Sequence, residues 1–323
     1  MGRGLLMNGV RPIAAVFVLL MLAGCGAPAA PEAPSPSSSS SELLPSGWRW
    51  ESYGGVQVGV PGEFGWAGRG TRLEAWCVRS DVPDKPPVVA RPTVTPAIAC
   101  GDGEDRLENT GTVVAFGDPP EERDGVEDRG DRTTVRIAGV EVVIQAEKEL
   151  RRRIAATVHR VRTDAYGCPA THPISAKPDL RPLPATDVAT LRDVTALSLC
   201  RYELGPSGAF LIAGSRLEGP AAGQALAQIV QAPAGGGPDW PRSCLPEVAY
   251  GEEAMVLRTG GSEIFLRYDG CSGHGFDDGV IVRRLSRTGA APFAGGPHST
   301  SMITAFSTGF VDDKIIPSAG PGK

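Results

Sequence analysis

Seven cysteines limit what this 323-residue chain can fold into more than any other feature of its sequence. They stand far apart, at Cys25, Cys77, Cys100, Cys168, Cys200, Cys244 and Cys271, and no two form a CxxC motif. The missing motif argues against a thiol redox enzyme and against most zinc fingers. Whether the cysteines pair depends on the compartment, because the cytoplasm keeps thiols reduced and the cell exterior does not.

The first 24 residues have the layout of a secretory signal peptide. Arg3 and Arg11 precede an apolar run from Ile13 to Ala23, which is the order of a charged region followed by an apolar one. This run has 11 residues. A membrane-spanning helix needs about 20 apolar residues. We therefore expect residues 1–24 to direct export and to be removed.

The end of this segment, Leu22-Ala23-Gly24-Cys25, resembles the lipobox of bacterial lipoproteins. The resemblance implies that Cys25 receives a diacylglyceryl thioether, with acyl chains such as palmitate, and becomes the N-terminus of the mature chain. Two acyl chains hold a protein stably on a membrane. The expected location is the extracellular face of the cell membrane. The alternative is an ordinary secretory signal in which Cys25 has no role.

Residues 25–46 join this anchor to the rest of the chain. From residue 26 they are mostly Pro, Ala and Ser, a composition that buries little and predicts a disordered linker. A flexible chain of this length has a reach on the order of 25 Å.

Export makes the other six cysteines candidates for three disulfides. Six cysteines allow 15 pairings. We favour the sequential set, Cys77–Cys100, Cys168–Cys200 and Cys244–Cys271, because each bridge then closes a local loop. Each bridge would stabilise the fold by about 3 kcal/mol.

From Gly47 onward, short apolar or alternating runs are broken by Gly and Pro, which is typical of strands and turns. The alternation of Val56, Val58 and Val60 predicts one strand. Val135 to Ile144 predicts a hairpin that turns at Ala138-Gly139. A helix through about Val161 should follow, because Leu150, Ile154 and Val158 share one helical face.

The Pro-rich stretch from Tyr166 to Pro184 predicts a boundary between two halves. Beyond it, two strands, a helix over Pro220 to Ala232 and three strands are expected, in the order ββαβββ. The fold class is therefore α+β, with two mainly antiparallel sheet-plus-helix subdomains over residues 47–165 and 166–289. The Gly- and Pro-rich residues 290–323 should form a partly disordered tail.

The net charge of −5 argues against a nucleic-acid partner, which would require a basic surface. Removing Arg3 and Arg11 with the signal makes the chain more acidic still. Basic residues do cluster at Lys148 and Arg151–Arg153. Their helical context favours an ordinary solvated helix face.

Familiar catalytic motifs such as G-x-S-x-G, S-x-x-K, H-E-x-x-H and the phosphate loop are missing from the sequence. The best candidate site is the segment Gly270 to Gly279, where His274, Asp277 and Asp278 lie beside Cys271. Carboxylates and an imidazole can ligate a divalent metal. Asp-Asp-Gly is also common turn chemistry, and we favour the turn. No metal or other cofactor is expected.

Several stretches carry a second resemblance: Trp48 to Trp66, LSLCRYEL from Leu197, LRYDGC from Leu266 and FDDGVIVRRL from Phe276. Together with the Arg-rich, Lys-poor composition, they resemble secreted and lipid-anchored actinobacterial proteins of unknown function. The resemblance implies no known activity.

The sequence therefore predicts a non-enzymatic lipoprotein of the cell surface, a binding or envelope-associated module. Its partner would be the membrane, through Cys25, and an envelope protein or cell-wall ligand. The alternative is a surface hydrolase or metal-dependent enzyme with a site near His274 and Asp277.

Overall fold

The structure, a computed structural model, describes residues 44–67, 77–79, 86–92, 104–106, 111–117, 123–205, 210–237, 253–268, 271 and 273–298. These residues belong to one compact unit that begins at Leu44. The predicted signal peptide, Cys25 and most of the predicted linker lie outside the described residues. No helix in the described ranges is long and apolar enough to cross a membrane.

Strands dominate the fold and only a few helices accompany them. The strands are β1 (Trp48–Tyr53), β2 (Val56–Pro61), β3 (Gly65–Ala67), β4 (Cys77–Arg79), β5 (Val88–Ala90), β6 (Glu104–Arg106), β7 (Val113–Gly117), β8 (Gly125–Arg129), β9 (Arg132–Ile137), β10 (Val140–Gln145), β11 (His159–Arg160), β12 (Ala196–Glu203), β13 (Leu211–Glu218), β14 (Glu253–Thr259), β15 (Ser262–Arg267), β16 (Phe276–Asp277) and β17 (Val282–Arg283). The helices are α1 (Lys148–Ala155), α2 (Pro220–Gln231) and α3 (Arg287–Ala290). The predicted combination of sheets with few helices is confirmed.

The first half of the chain forms two larger sheets and a short ribbon. Strands β1, β2 and β11 make a three-stranded antiparallel sheet, and β4 pairs with β6. The six-stranded sheet has the order β3-β5-β7-β10-β9-β8, in which β3, β5 and β7 are parallel and the other pairs are antiparallel. Helix α1 packs between the two sheets through Ile154, which is fully buried. Burying one such side chain stabilises a fold by about 1.5–3 kcal/mol.

Helix α1 is shorter than its apolar spacing predicts. It begins where the Glu147 carboxylate accepts hydrogen bonds from the backbone N–H groups of Glu149 and Leu150. It ends at Ala155, because the hydroxyl and the N–H of Thr157 both donate to the Ile154 carbonyl, at 2.6 and 2.9 Å. The predicted continuation to Val161 is therefore wrong. His159 and Arg160 instead pair with β2 as strand β11.

The second half forms one antiparallel sheet in the order β13-β12-β14-β15-β16-β17. Helix α2 covers one face with its buried residues Ala222, Ala225, Leu226 and Ile229. The other face is covered by residues 164–180, and Ile174 packs there against Tyr202 and Phe265. The predicted helix from Pro220 is confirmed to within one residue at its end, whereas the predicted strand from Val280 to Leu285 is reduced to β17.

Two further predictions concern the disulfides and the C-terminal residues. Among the described residues one disulfide joins two cysteines, Cys168–Cys200, where three disulfides were predicted. The positions of Cys100 and Cys244, and the side chain of Cys77, lie outside the description. Residues 290–298, the first part of the expected partly disordered tail, are folded, and Phe293 and His298 are buried at 0 % and 1 % exposure. Short 3₁₀ turns at Ala291–Phe293 and Gly296–His298 suit the Gly- and Pro-rich sequence, and residues 299–323 lie outside the description.

The halves of the chain pack directly on each other. The Gly54 N–H at the β1–β2 turn donates to the Leu211 carbonyl of β13 at 2.8 Å. The Tyr166 hydroxyl donates to the Trp50 carbonyl at 2.8 Å. The rings of Tyr53 and Phe210 meet edge to face, with centroids 5.0 Å apart. These contacts bring β1 and β13 side by side and bury the polar residues between them.

Candidate functional site

Asp277, a predicted site residue, is held by arginine. Its carboxylate accepts two hydrogen bonds from Arg181, at 2.9 and 2.7 Å, and lies 3.8 Å from a guanidinium nitrogen of Arg267. It also accepts the Gly279 N–H at 2.9 Å. The residue is only 2 % exposed. Its acceptor oxygens are therefore directed at protein groups rather than at a cavity.

Asp278 is even more enclosed, with no solvent exposure. It accepts hydrogen bonds from the backbone N–H groups of Val188, Val280 and Ile281 and from the Arg283 guanidinium, the last at 2.6 Å. Burial alone would raise the pKa of this carboxyl, but the backbone donors and Arg283 together lower it below its ordinary value. Asp278 is thus an ionised structural residue.

The structure does not bring the three predicted residues together as a metal site. Asp277 is the last residue of β16 and Asp278 follows it in the loop, and their carboxylates bind different arginines, Arg181 and Arg283. The backbone N–H of His274 donates to the Cys271 carbonyl at 2.8 Å, and its carbonyl accepts the Gly237 N–H. Throughout the described part of the chain, no group of three or more His, Cys, Asp or Glu residues could hold a metal ion.

The most unusual polar arrangement lies between the two halves of the chain. We name it the central polar cluster and define it as Glu51, Arg91, Arg201, Ser215 and His298. Glu51 on β1 accepts from the Arg91 guanidinium, and both are at least 95 % buried. Burial lowers the pKa of Arg91, and the positive charge of Arg201 lowers it further. The negative charge of Glu51 raises the pKa but does not cancel the effect of burial.

His298 closes the central polar cluster from the C-terminal side. Its Nε2 lies 2.7 Å from the Ser215 hydroxyl oxygen on β13. Its Nδ1 is buried without a hydrogen-bond partner, and so is Nε of Arg201. Burial, and then the positive charges of Arg201 and Arg91, lower the pKa of His298 well below its ordinary value. The imidazole is therefore neutral in the folded protein.

A serine hydroxyl bound to a neutral imidazole is also the first half of a catalytic triad. Here the second half is missing, because Nδ1 of His298 has no carboxylate to orient the ring. The ring is also 1 % exposed. The Ser215–His298 pair therefore fits a packing role between the two halves better than a nucleophilic role.

The central polar cluster was not predicted, because its members come from five separate segments of the sequence. No local motif connects positions 51, 91, 201, 215 and 298. One signal was available: Arg201 interrupts the apolar strand LSLCRYEL, and a charge at a central strand position needs a buried partner.

A pH-dependent loss of stability is expected from His298. Below pH about 6.5 the unfolded chain binds a proton on this imidazole, whereas the folded protein does not. The free energy of unfolding should therefore fall with pH, by about 1.4 kcal/mol per pH unit, from pH about 6.5 down to the folded pKa. Urea unfolding at a series of pH values measures this slope.

His298→Gln should flatten the slope in this range, because the amide does not titrate and still reaches Ser215. His159→Gln is the matched control, since His159 is exposed, and it should leave the slope unchanged. An equal slope in the wild type and His298→Gln would contradict the assignment. The carboxyls of Asp278 and Glu263, whose pKa values are lowered, act in a separate range, below their unfolded pKa values near 4.

A shallow groove lies between α2 and the segment 188–194. Its volume is about 310 Å³, and its apolar lining includes Val188, Leu191, Val194, Leu226 and Val230. Arg192 and Asp193 stand at the same groove, which holds no serine, cysteine or histidine. It offers contact area but no nucleophile.

The chain was compared with protein-family models, curated proteins and solved structures. No protein-family model matches it, and neither a curated protein nor a solved structure is significantly similar to it. The resemblance to actinobacterial lipid-anchored proteins stays a prediction.

Proposed function

We propose that this protein is an extracytoplasmic lipoprotein, attached to the cell membrane through a diacylglyceryl group on Cys25. The observation that carries the proposal is the sequence Leu22-Ala23-Gly24-Cys25 at the end of a short apolar run. The buried Cys168–Cys200 disulfide supports it, because such bridges persist outside the reducing cytoplasm.

The proposal includes the remaining disulfides and the two-part organisation. Cys271 is buried and disulfide-bonded, which supports the pairing Cys244–Cys271. Cys77–Cys100 completes the sequential set. The two sheet-plus-helix subdomains, over residues 47–165 and 166–289, are supported by sheet membership: every described strand before residue 165 belongs to the first three sheets, and every later one to the last sheet.

We propose further that the exposed domain is a non-enzymatic binding or envelope-associated module. The alternative is a hydrolase or metal-dependent enzyme with a site near His274 and Asp277. The contacts of its carboxylates favour the binding module instead, because Asp277 and Asp278 form ion pairs with arginines. Freeing either carboxylate for catalysis would leave a guanidinium without its partner. Crosslinking in the intact envelope, followed by purification of the crosslinked complexes, would identify the partner.

Cys25→Ser tests the anchor. The hydroxyl cannot form the thioether, so we expect incorporation of a labelled palmitate analogue to be lost and the protein to leave the membrane fraction or remain unprocessed. Labelling and membrane fractionation measure the two effects. Ser40→Ala, in the same linker, is the control and should behave as wild type. Unchanged labelling and membrane retention in Cys25→Ser would refute the proposal.

A further inference from the structure

The chain enters the fold beside a group of basic residues. We name residues 44–48 the tether root, because the proposed linker ends there. The tether root is fixed to the fold: the Trp48 N–H donates to the Pro45 carbonyl at 3.0 Å, and the Gly47 carbonyl accepts the Gly62 N–H at 2.7 Å. The Leu44 side chain packs on Gly59, whose N–H donates to the Thr157 hydroxyl at 2.8 Å. Gly59 therefore lies in contact with both the tether root and Thr157 in the turn that follows α1.

Six basic residues belong to α1 and the residues directly after it. We name them the basic segment, which consists of Lys148, Arg151, Arg152, Arg153, Arg160 and Arg162. All are exposed except the half-exposed Arg151. Within residues 147–162 the acidic residues are Glu147 and Glu149, and the Glu149–Arg152 pair is itself at the surface. This positive patch stands out on a chain whose net charge is −5.

Direct contacts connect the basic segment to the tether root. The Arg153 guanidinium lies over the Trp48 ring, 4.8 Å from its centroid. Trp50, two residues further along the same strand and on the same sheet face, meets the His159 ring at 5.1 Å. Both tryptophans are half-buried. Half-exposed tryptophan with arginine is a combination enriched where proteins meet the lipid head groups.

We propose that the basic segment and the tether root form the surface that faces the membrane and binds its anionic lipid head groups. The proposal rests on the lipid anchor of Cys25. The chain passes from Cys25 into the fold at residue 44, so the tether root is the part of the fold nearest to the anchor along the chain. Attraction to a charged bilayer acts within a Debye length of about 8 Å, and only residues near the attachment point come that close.

The experiment uses the lipidated mature protein incorporated into vesicles. Flotation first measures anchoring. Phenylglyoxal then labels accessible arginines, and mass spectrometry reads each position, in vesicles of neutral phosphatidylcholine and in vesicles with roughly 30 % phosphatidylglycerol. We expect labelling of Arg152, Arg153 and Arg160 to fall about threefold in the anionic vesicles and to recover in about 0.5 M salt. Arg129, whose side chain is 81 % exposed, and the exposed Arg192 are internal controls and should not change.

A pair of double variants separates charge from general crowding. Lys148→Gln with Arg152→Gln should abolish the protection of Arg153 and Arg160, whereas Arg129→Gln with Arg192→Gln should preserve it. Equal protection in neutral and anionic vesicles, protection of Arg129 and Arg192 as well, or no protection in protein that floats with the vesicles would each overturn the proposal. Wild-type protein that fails to float would instead refute the anchor, so the two failures are distinguishable.

Discussion

Replacing Asp278 with alanine is expected to lower the free energy of unfolding by about 3–5 kcal/mol, the usual effect of breaking a buried ion pair. The carboxylate has no solvent exposure and accepts from three backbone N–H groups and from Arg283. Its loss leaves the three N–H groups and the Arg283 guanidinium without their main acceptor. The Arg283 side chain is itself only 6 % exposed. Guanidinium chloride unfolding followed by circular dichroism measures the change.

Two variants control this result. Asp278→Ala with Arg283→Met removes both charges and should be less destabilised than Asp278→Ala alone, because no guanidinium remains buried without Asp278. Glu127→Ala removes a carboxylate from a surface pair with Arg129 and should leave the unfolding midpoint nearly unchanged. A loss below about 1 kcal/mol for Asp278→Ala would show that this pair does not hold the loop.

Asp278 matters beyond its own loop because it connects two distant stretches of chain. Its side chain accepts from the Val188 N–H, and its carbonyl accepts the Thr186 N–H at 3.0 Å. Arg283 reaches from Asp278 to Asp187, 3.3 Å away. Asp278, which the sequence suggests as a candidate site residue, thus binds residues 186–188 to the edge of the sheet together with Arg283.

Local signals in the sequence predicted local structure well. Ala138-Gly139 does turn the hairpin of β9 and β10, with positive φ at both residues. Pro220 does start α2, and the next two strands, β14 and β15, follow as predicted, whereas the short strand β16 was not predicted. Each of these elements depends on neighbouring residues: a turn that needs positive φ, or a proline at the first helical position.

Features that depend on distant residues were not predictable in this way. The parallel pairing of β3, β5 and β7 leaves no periodic mark that differs from antiparallel pairing. The apolar spacing of Leu150, Ile154 and Val158 suggested a longer helix, but the Thr157 hydroxyl ends it and bonds Gly59, 98 positions away along the chain. The candidate site failed for the same reason, because Asp277 and Asp278 are adjacent in sequence while Arg181 lies 96 positions from Asp277.

Removing the Cys168–Cys200 disulfide, by Cys168→Ala with Cys200→Ala, is expected to lower the free energy of unfolding by about 3–4 kcal/mol, given the sequence separation of 32 residues. Both cysteines are fully buried: Cys168 lies in the segment that covers the face of the sheet opposite α2, and Cys200 lies on β12 beneath it.

The folded state should survive this change, because other contacts hold residues 164–170 on β12. The Tyr202 hydroxyl of β12 donates to the Pro169 carbonyl at 2.8 Å, and the Ser198 hydroxyl of β12 donates to the Tyr166 carbonyl. Within the segment, the Asp164 carboxylate accepts the Cys168 N–H at 2.8 Å. The loss should therefore come mainly from an unfolded chain that is freer to expand. Guanidinium chloride unfolding should then show a lower midpoint together with a steeper dependence on denaturant, since a more open unfolded state exposes more surface.

The matched control is Ser40→Ala, which changes a side chain outside the compact unit and should leave the unfolding curve unchanged. Hydrogen exchange locates the effect: amides of residues 164–176 should exchange faster in the double variant, while those of β9 and β10 should keep their order of protection. A steeper curve with local loosening would show that the bridge acts on the unfolded chain and on one covering segment. An unchanged midpoint would mean that the hydrogen bonds of Asp164 and Tyr202 hold this layer without it.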